Sequence, residues 1–291
     1  MQVIADRKGN LTKVNSTQDK ILKKLYTHWI GRILLKPLVS PAVSKIGGFL
    51  LNLPITKFWI PFFIKNNSIP MEEYEQKKYR SYNDFFTRKL LPDRREIEME
   101  PDLFISPCDS KLSVSKIDHK SVFSVKHTKY TAKTLLKNKK LAEKFVGGYI
   151  WIFRLSVEDY HHYIYADSGK VSKTVKIPGI FHTVNPIAND NFPIYKENAR
   201  EYCLIQSKNF GAMIQMEVGA LLVGKIENIP NRTEAKRGQE KGHFAFGGST
   251  IIIMTQKDAV LPDKDLLKNT MRGIETRVKL GERIGSKGAN P

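Results

Sequence analysis

The sequence predicts an α+β protein in which a helical N-terminal part precedes a largely antiparallel, sandwich-like β part. Two observations support this prediction. Apolar residues recur at helical spacing within the first hundred residues, whereas short β-rich segments separated by Gly, Pro, Asn and Asp follow residue 100. Runs of helices followed by runs of strands are typical of α+β folds. We therefore place a domain boundary near residue 95, which divides residues 1–95 from residues 96–291.

The first predicted element is a basic amphipathic helix over about residues 18–36. Its apolar face carries Ile21, Leu22, Leu25, Tyr26, Trp29, Ile30, Ile33 and Leu34, and its basic face includes Lys20, Lys23, Lys24, Arg32 and Lys36. Two interpretations stay open. The apolar face packs on the rest of the protein, or the helix lies in a membrane interface, where anionic lipid contributes on the order of 1 kcal/mol per basic residue.

The apolar segment that follows is too interrupted to predict a transmembrane helix. Lysines, prolines and a glycine pair break residues 37–66 before any run reaches the roughly 20 residues that span a bilayer. The first ten residues also lack the apolar region of a signal peptide. Residues 71–92 predict a further helix with an interruption near 81–84, where a serine or an asparagine could cap the following turn. We expect residues 1–95 to associate with membranes.

Charge and cysteine content narrow the partners and the compartment. Lys and Arg number 48 against 29 Asp and Glu, which gives a formal charge of +19. Such a surface attracts a polyanion, either nucleic acid or an anionic membrane. Two cysteines, Cys108 and Cys203, are too few for a disulfide framework and lack zinc-binding spacing, so a reducing compartment is favoured.

The C-terminal part predicts about seven short strands with one inserted helix. The helix is expected over about residues 131–144. The last segment, residues 263–291, predicts a short helix and a mobile tail rich in Gly and Lys.

A candidate nucleophile lies in the sequence Gly247-Gly248-Ser249-Thr250, directly before an apolar strand. Two glycines leave the peptide bond before the serine unhindered. The ordinary interpretation is a glycine-rich turn. The motif GxSxG is not satisfied, because Ile251 stands at its last glycine, so an α/β-hydrolase is not indicated.

Acidic and imidazole candidates are sparse in the β part. Asp109 lies in a turn between two apolar strands, where an Asx turn is the usual explanation. His161 and His162 are adjacent, so on a regular strand they point to opposite faces and cannot both serve one site. No HExxH motif or cysteine cluster is present, and no metal site is predicted. An Asp, His and Ser could form a triad, but its geometry is not given by sequence.

Several ordered motifs together resemble the phosphatidylserine decarboxylase family of pyruvoyl enzymes. The resemblance covers roughly residues 78–254 and rests on Ser81-Tyr82-Asn83-Asp84-Phe85-Phe86-Thr87-Arg88, Ser106-Pro107-Cys108-Asp109-Ser110, Arg154-Leu155-Ser156 with Asp159-Tyr160-His161, Val184-Asn185, Asn198-Ala199-Arg200, Val218-Gly219-Ala220 with Val223-Gly224, and residues 237–250 with their Gly248-Ser249-Thr250 end. These ordered blocks together are far more specific than any one of them.

The resemblance implies a self-cleaving enzyme. Ser249 would attack the carbonyl of Gly248, cut the chain between 248 and 249 into heavy and light fragments, and become a covalent pyruvoyl group. That group would serve as the electron sink for decarboxylation. By resemblance Asp109, His161 and Ser249 are the catalytic residues, with His162 as a possible second histidine. The implied reaction converts phosphatidylserine to phosphatidylethanolamine, peripherally on the cytoplasmic face of the cell membrane.

The sequence departs from the family pattern in four places, and two other functions stay open. Ile164 stands where many members carry a second histidine, and Gly247, Ser110 and Ala199 also differ from the common residues. One alternative is a pyruvoyl decarboxylase of a soluble amino acid, and the other is a basic nucleic-acid-binding β-protein without activity. We favour the membrane enzyme, expect no nucleic acid partner, and leave a homodimer open.

Overall fold

Strands dominate the chain after residue 100. The computed structural model describes residues 2–14, 22, 24–120, 122–125, 128–185, 188, 192–220, 225–245 and 249–289. The strands are β1 Gln2–Ala5, β2 Leu11–Val14, β3 Leu103–Ile105, β4 Ser110–Lys116, β5 Val122–Val125, β6 Thr128–Thr131, β7 Tyr149–Leu155, β8 His162–Ile164, β9 Gly169–Val171, β10 Val175–Ile177, β11 Arg200–Ser207, β12 Ala212–Val218, β13 Ile226–Asn228, β14 Glu234–Ala235, β15 Glu240–Phe244, β16 Ser249–Thr255, β17 Val260–Pro262, β18 Glu275–Val278 and β19 Arg283–Lys287.

Short helices lie before and between these strands. The described α-helices are α1 Trp29–Leu38, α2 Pro41–Leu51, α3 Ile60–Asn67, α4 Tyr82–Phe86, α5 Ala132–Leu136, α6 Lys139–Glu143, α7 Ile194–Glu197 and α8 Lys264–Met271, with 3₁₀ turns at Pro54–Trp59 and Met71–Glu73. The protein is therefore mixed α and β, as predicted.

One large, mostly antiparallel sheet of 11 strands organises the molecule. Its order is β14-β9-β11-β12-β16-β7-β4-β18-β1-β2, and β10 also pairs with β11. The β1–β18 pair is parallel, so the first residues of the chain join a sheet built mainly from its second half. Two smaller sheets, β13-β15-β8 and β17-β19-β3, and the β5–β6 hairpin complete the strands.

The central strand β16 is buried on both faces of this sheet. Ile251 and Ile253 belong to one apolar core, while Ile252 and Met254 belong to the other. Alternate residues of a strand point to opposite faces, so a continuous apolar run is required where both faces are covered. The sheet thus holds Ser249, the first residue of β16, inside the protein.

The predicted helix over residues 18–36 is wrong in its continuity. Helical residues up to Thr27 are separated from α1 by a break at His28, whose extended backbone caps α1. Leu22, Tyr26 and Leu35 are buried in one core, whereas Trp29 and Ile33 are 67% and 57% exposed. The predicted apolar stripe therefore divides between the protein interior and solvent. Lys20 and Lys23 lie outside the described residues.

Other boundaries also differ from prediction. Residues 71–92 form the 3₁₀ turn at Met71–Glu73 and the short α4, with an isolated bridge between Tyr74 and Leu90, rather than a long helix. The predicted serine cap is confirmed, because the Ser81 hydroxyl accepts from the Asp84 amide at 3.2 Å. The predicted tail contains α8 as expected, but strands β18 and β19 replace the mobile segment. These strands pair with β4, β1, β3 and β17.

Within the described residues, no single helix has both the length and the apolar composition to cross a membrane. Helices α1 and α2 reach that length and composition only as a pair, and they are bent by 71° relative to each other.

Candidate active site

Two neighbouring chain connections bring the candidate serine and histidine to the same region. At one end, Ser249 of β16 pairs with Leu155 of β7. At the other, the Phe244 amide donates to the His161 carbonyl at 3.0 Å. The chain from Leu155 to His161 and the chain from Phe244 to Ser249 therefore begin and end beside each other. Gly248, the other half of the predicted cleavage site, lies outside the described residues.

Ser249 is one of three buried serines whose hydroxyls lack a hydrogen-bond partner among the described residues, together with Ser44 and Ser110. The residue is 1% exposed, and its Oγ has no hydrogen-bond partner in the part of the chain that the structure describes. Buried polar groups are nearly always hydrogen-bonded, because leaving one without a partner costs about 1–3 kcal/mol. An orphaned buried hydroxyl at the start of a rigid strand is consistent with a nucleophile retained for chemistry.

His161 is fully buried, and its hydrogen bonding defines its tautomer. Nδ1 lies 2.8 Å from the Asp159 carbonyl oxygen, which can only accept, so Nδ1 carries the proton and donates it. Burial, with a further contribution from the Arg88 charge, lowers the pKa of His161 to about 3. The imidazole is therefore neutral near pH 7. Its Nε2 is unprotonated and has no partner among the described residues, so it is available as a base.

The motif at residues 81–88 packs directly against this histidine. The Phe86 ring centroid lies 4.1 Å from that of His161. The Thr87 carbonyl oxygen lies 3.3 Å from His162 Nε2, and Arg88 donates to the Glu158 carbonyl at 3.1 Å. Two motifs about 75 residues apart in sequence are thus parts of one site.

Asp109 forms hydrogen bonds that differ from those expected of a triad member. Its carboxylate accepts from Arg95 Nη2 at 2.6 Å and Nε at 3.0 Å, and from the Leu280 amide at 2.8 Å. No described hydrogen bond joins Asp109 to His161, which is instead oriented by a backbone carbonyl. The catalytic assignment of Asp109 stays a prediction.

His162 occupies a separate stack of rings. Its ring lies 4.8 Å from Tyr160 and 4.9 Å from His243, with small interplanar angles, and its Nδ1 lies 2.7 Å from Glu240 Oε1. His162, Glu240 and His243 offer ligand atoms within 4.8 Å of one another, a grouping that sequence analysis missed. The direct contact with Glu240 satisfies His162 without an ion. The rings of His162 and His243 are stacked almost parallel, so the lone pairs in their planes do not converge on one position that a metal ion could occupy.

Comparison with known proteins identifies the family. The family model for phosphatidylserine decarboxylase matches residues 82–286. This chain belongs to the phosphatidylserine decarboxylase family. The match begins within the motif at residues 81–88 and includes Asp109, His161 and Ser249.

Curated relatives cover almost the whole chain. The chain is 44% identical to phosphatidylserine decarboxylase proenzyme 2 of Clostridium acetobutylicum over 265 residues, which is 91% of both chains. It is 39% identical over 276 residues to the phosphatidylserine decarboxylase proenzyme of Clostridium novyi, covering 92% of this chain and 93% of that one. The corresponding protein of Clostridium tetani is 41% identical over 84% of both chains. The chain is accordingly an enzyme of the phosphatidylserine decarboxylase kind.

Sequence analysis missed a buried group of charged residues close to His161 in this phosphatidylserine decarboxylase family member. Lys111 is 2% exposed, and its Nζ lies 2.6 Å from Asp159 and 2.8 Å from Glu158. Burial raises the pKa of Asp159 despite Lys111, whereas Lys111 outweighs burial and lowers the pKa of Glu158. The network holds the turn whose carbonyl orients His161. Its only sequence signal is that Lys111 follows the motif containing Asp109.

Proposed function

We propose that this enzyme converts phosphatidylserine to phosphatidylethanolamine with a pyruvoyl group made from Ser249. The observation that carries the proposal is the buried Ser249 hydroxyl, which has no partner among the described residues and follows Phe244, whose amide binds the His161 carbonyl, by five residues. The proenzyme names of the relatives agree with a chain that is cut to become active.

The chain's own residues account for the self-cleavage. His161 Nε2, unprotonated because Nδ1 carries the proton, accepts the hydroxyl proton of Ser249. The Ser249 oxygen then attacks the Gly248 carbonyl, and the amide becomes an ester as the Ser249 amine leaves with the proton that His161 had accepted. Loss of the Ser249 α-proton expels the carboxylate of Gly248. One water hydrolyses the remaining enamine, which releases one ammonia and leaves the pyruvoyl group.

A serine at 249 fits this group, since its oxygen must both attack and leave. When present, a pyruvoyl group supplies an electron sink for loss of CO₂. The surrounding protein supplies a water-poor site, because Leu155, His161 and Phe244 are buried. Once His161 Nε2 has accepted a proton, it can return that proton to the reaction centre in that environment.

We propose that the N-terminal helices hold this enzyme peripherally on an anionic membrane surface at the cytoplasmic face. Large apolar side chains on these helices point to solvent. The exposed apolar set comprises Trp29, Ile30, Ile33, Leu34, Ile46, Phe49, Leu50, Ile55, Phe58, Trp59 and Phe62, each at least 48% exposed. Exposed apolar surface of this extent marks an interaction site, and the basic chain favours anionic lipid as its partner. A second copy of the chain is the competing occupant.

Intact mass of the purified protein tests the chemistry. We expect fragments of residues 1–248 and 249–291, with the smaller one lighter by one ammonia than its serine form. Hydroxylamine should abolish activity by consuming the ketone. Ser249→Ala should stay one chain without activity, whereas Ser249→Cys should cleave slowly because a thiol can also attack and leave.

Decarboxylation of phosphatidylserine by one intact chain with a free serine at 249 contradicts this mechanism. Processed protein that decarboxylates a soluble amino acid but not phosphatidylserine contradicts the substrate. The matched control is Ser68→Ala, which removes the hydroxyl of an exposed serine at the end of α3.

A further inference from the structure

Arg88 differs from the other buried arginines of the described chain. Arg154 pairs with Glu275 at 2.7 Å, Arg237 pairs with Asp167 at 3.2 Å, and Arg200 donates to four backbone carbonyls. Arg88 is fully buried, yet among the described residues no carboxylate lies within 4 Å of it. Its Nε and Nη1 have no hydrogen-bond partner there.

Aromatic contacts do not replace the missing partner. The guanidinium carbon lies 4.5 Å from the Tyr74 ring centroid and 5.0 Å from that of Phe85. Such rings stabilise the charge through the faces of the guanidinium. The N–H groups point outward in its plane, and there only Nη2 is engaged, with the Glu158 carbonyl at 3.1 Å as its shortest contact. A buried cation with two N–H-bearing nitrogens that lack an acceptor among the described residues is costly, and an anion in the plane of Nε and Nη1 would offset that cost.

Arg88 lies close to the candidate base His161. Arg88 Nη2 and His161 Nδ1 both face the Asp159 carbonyl oxygen, at 3.5 and 2.8 Å. Phe86, two residues before Arg88, contacts the His161 ring. A group bound in the plane of the guanidinium would therefore lie close to His161, the candidate base.

We propose that Arg88 binds the phosphodiester of the phospholipid head group. This inference rests on the proposed function. A head group with serine carries two anions, a carboxylate and a phosphodiester. A cation on the carboxylate stabilises the ground state more than the transition state, in which that charge leaves as CO₂ develops, and so opposes catalysis. The phosphodiester keeps its charge throughout, and its oxygens suit bidentate recognition by arginine.

In the uncleaved chain the guanidinium is enclosed by protein. We therefore expect the head group to bind the processed enzyme and not the uncleaved chain.

Competition by soluble head groups tests the proposal on the processed enzyme. Glycerophosphoserine carries both anions, whereas glycerophosphoethanolamine carries the phosphodiester alone. In Arg88→Gln we expect the Ki of both to rise by the same factor, about tenfold to hundredfold, because a charge-assisted hydrogen-bond pair is lost. The KM for phosphatidylserine should rise with them. Arg94→Gln, which changes an exposed arginine nearby in the chain, should leave all three values unchanged.

Each other outcome overturns the inference. Weaker binding of glycerophosphoserine alone assigns Arg88 to the carboxylate, and unchanged Ki values remove the subsite. Arg88→Lys, which keeps the charge but loses the planar donors, must also raise both Ki values equally. If neither variant folds, the wild-type enzyme provides the test. Failure of glycerophosphoethanolamine to compete in large excess would contradict a phosphodiester subsite. Wild-type protein inactive on phosphatidylserine overturns the proposed function instead.

Discussion

At the scale of single residues, the two adjacent histidines have separate surroundings. His161 faces Phe86 and the orienting Asp159 carbonyl, whereas His162 lies between Tyr160 and His243. Alternation of side chains along an extended chain predicts such a division. Only His161 has a nitrogen that is both buried and without a described partner. The structure therefore favours His161 as the base.

Separate substitutions distinguish the histidines. His161→Ala should lower self-cleavage, decarboxylation or both by at least about a hundredfold, the usual contribution of a general base. His162→Ala should retain most activity. Fragment formation by gel and product formation on phosphatidylserine measure the two steps, and thermal denaturation checks that each variant folds. Equal loss in a folded His162→Ala protein would place the catalytic histidine one residue further along.

The depressed pKa of His161 also predicts how stability depends on pH. The folded pKa is about 3, whereas an unfolded histidine titrates near 6.5, so protons bind preferentially to the unfolded chain between these values. The contribution of His161 is complete above about pH 6.5 and is lost as pH falls toward 3. Each such proton lowers the unfolding free energy by about 1.4 kcal/mol per pH unit.

Urea denaturation between pH 7 and 5 checks this sign. In His161→Gln, the unfolding free energy should change with pH less steeply than in wild type, by about 1.4 kcal/mol per pH unit, the contribution of one proton. His119→Gln is the control, because His119 is exposed. A slope that is the same in wild type and His161→Gln would mean that His161 is not buried in its neutral form.

At the scale of elements, the break at His28 divides the N-terminal apolar residues between two environments. Tyr26 is buried and its hydroxyl accepts from the Thr183 amide at 3.0 Å, whereas Trp29 begins a helix with exposed apolar residues. Helix α2, the 3₁₀ turn at Pro54–Trp59 and α3 continue this exposed set. The two interpretations of the predicted stripe therefore apply to different parts of it, and membrane contact stays a proposal for the second part.

Substitutions in the exposed apolar set should weaken vesicle binding. Phe58→Ser with Trp59→Ser removes two aromatic side chains, each contributing about 1.5–3 kcal/mol when fully buried. We expect at least a tenfold loss of affinity for anionic vesicles in sedimentation, with the fold intact. Met271→Ser is the control, since Met271 is 82% exposed outside the set. Unchanged vesicle binding, together with dissociation of a dimer, would assign the set to a second copy of the chain.

At the scale of the whole molecule, the formal charge of +19 acts over the entire surface. Exposed charges act through a potential that is screened within about 10 Å at 0.1 M salt. Basic residues near the apolar set should therefore matter more for membrane binding than equally charged residues elsewhere.

Two triple variants of equal net charge separate location from total charge. Lys24→Glu, Arg32→Glu and Lys36→Glu together should weaken anionic-vesicle binding and its salt dependence. Lys133→Glu, Lys139→Glu and Lys140→Glu, at exposed positions on α5 and α6, should leave most binding intact. Equal losses would mean that overall charge, rather than the N-terminal helices, attracts the membrane.

The sequence by itself determined the α+β class, the family and the candidates Asp109, His161 and Ser249. Short stretches of sequence suffice for these predictions. The apolar run at 251–254 requires a strand that is buried on both faces, and each candidate residue lies within a short continuous motif. The serine cap at Ser81 was predictable for the same reason, since its partner lies three residues away.

Tertiary structure alone decided which groups meet. The pairing of Asp109 with Arg95 and the enclosure of Lys111 between two carboxylates depend on long-range contacts that no local pattern encodes. The same holds for the burial of Arg88, whose Nε and Nη1 have no partner among the described residues. Strands β18 and β19 replaced a predicted tail because an existing sheet edge supplies hydrogen bonds that an isolated segment lacks. Burial then sets the neutral state of His161, because desolvation depends on all the atoms around the ring rather than on its sequence neighbours.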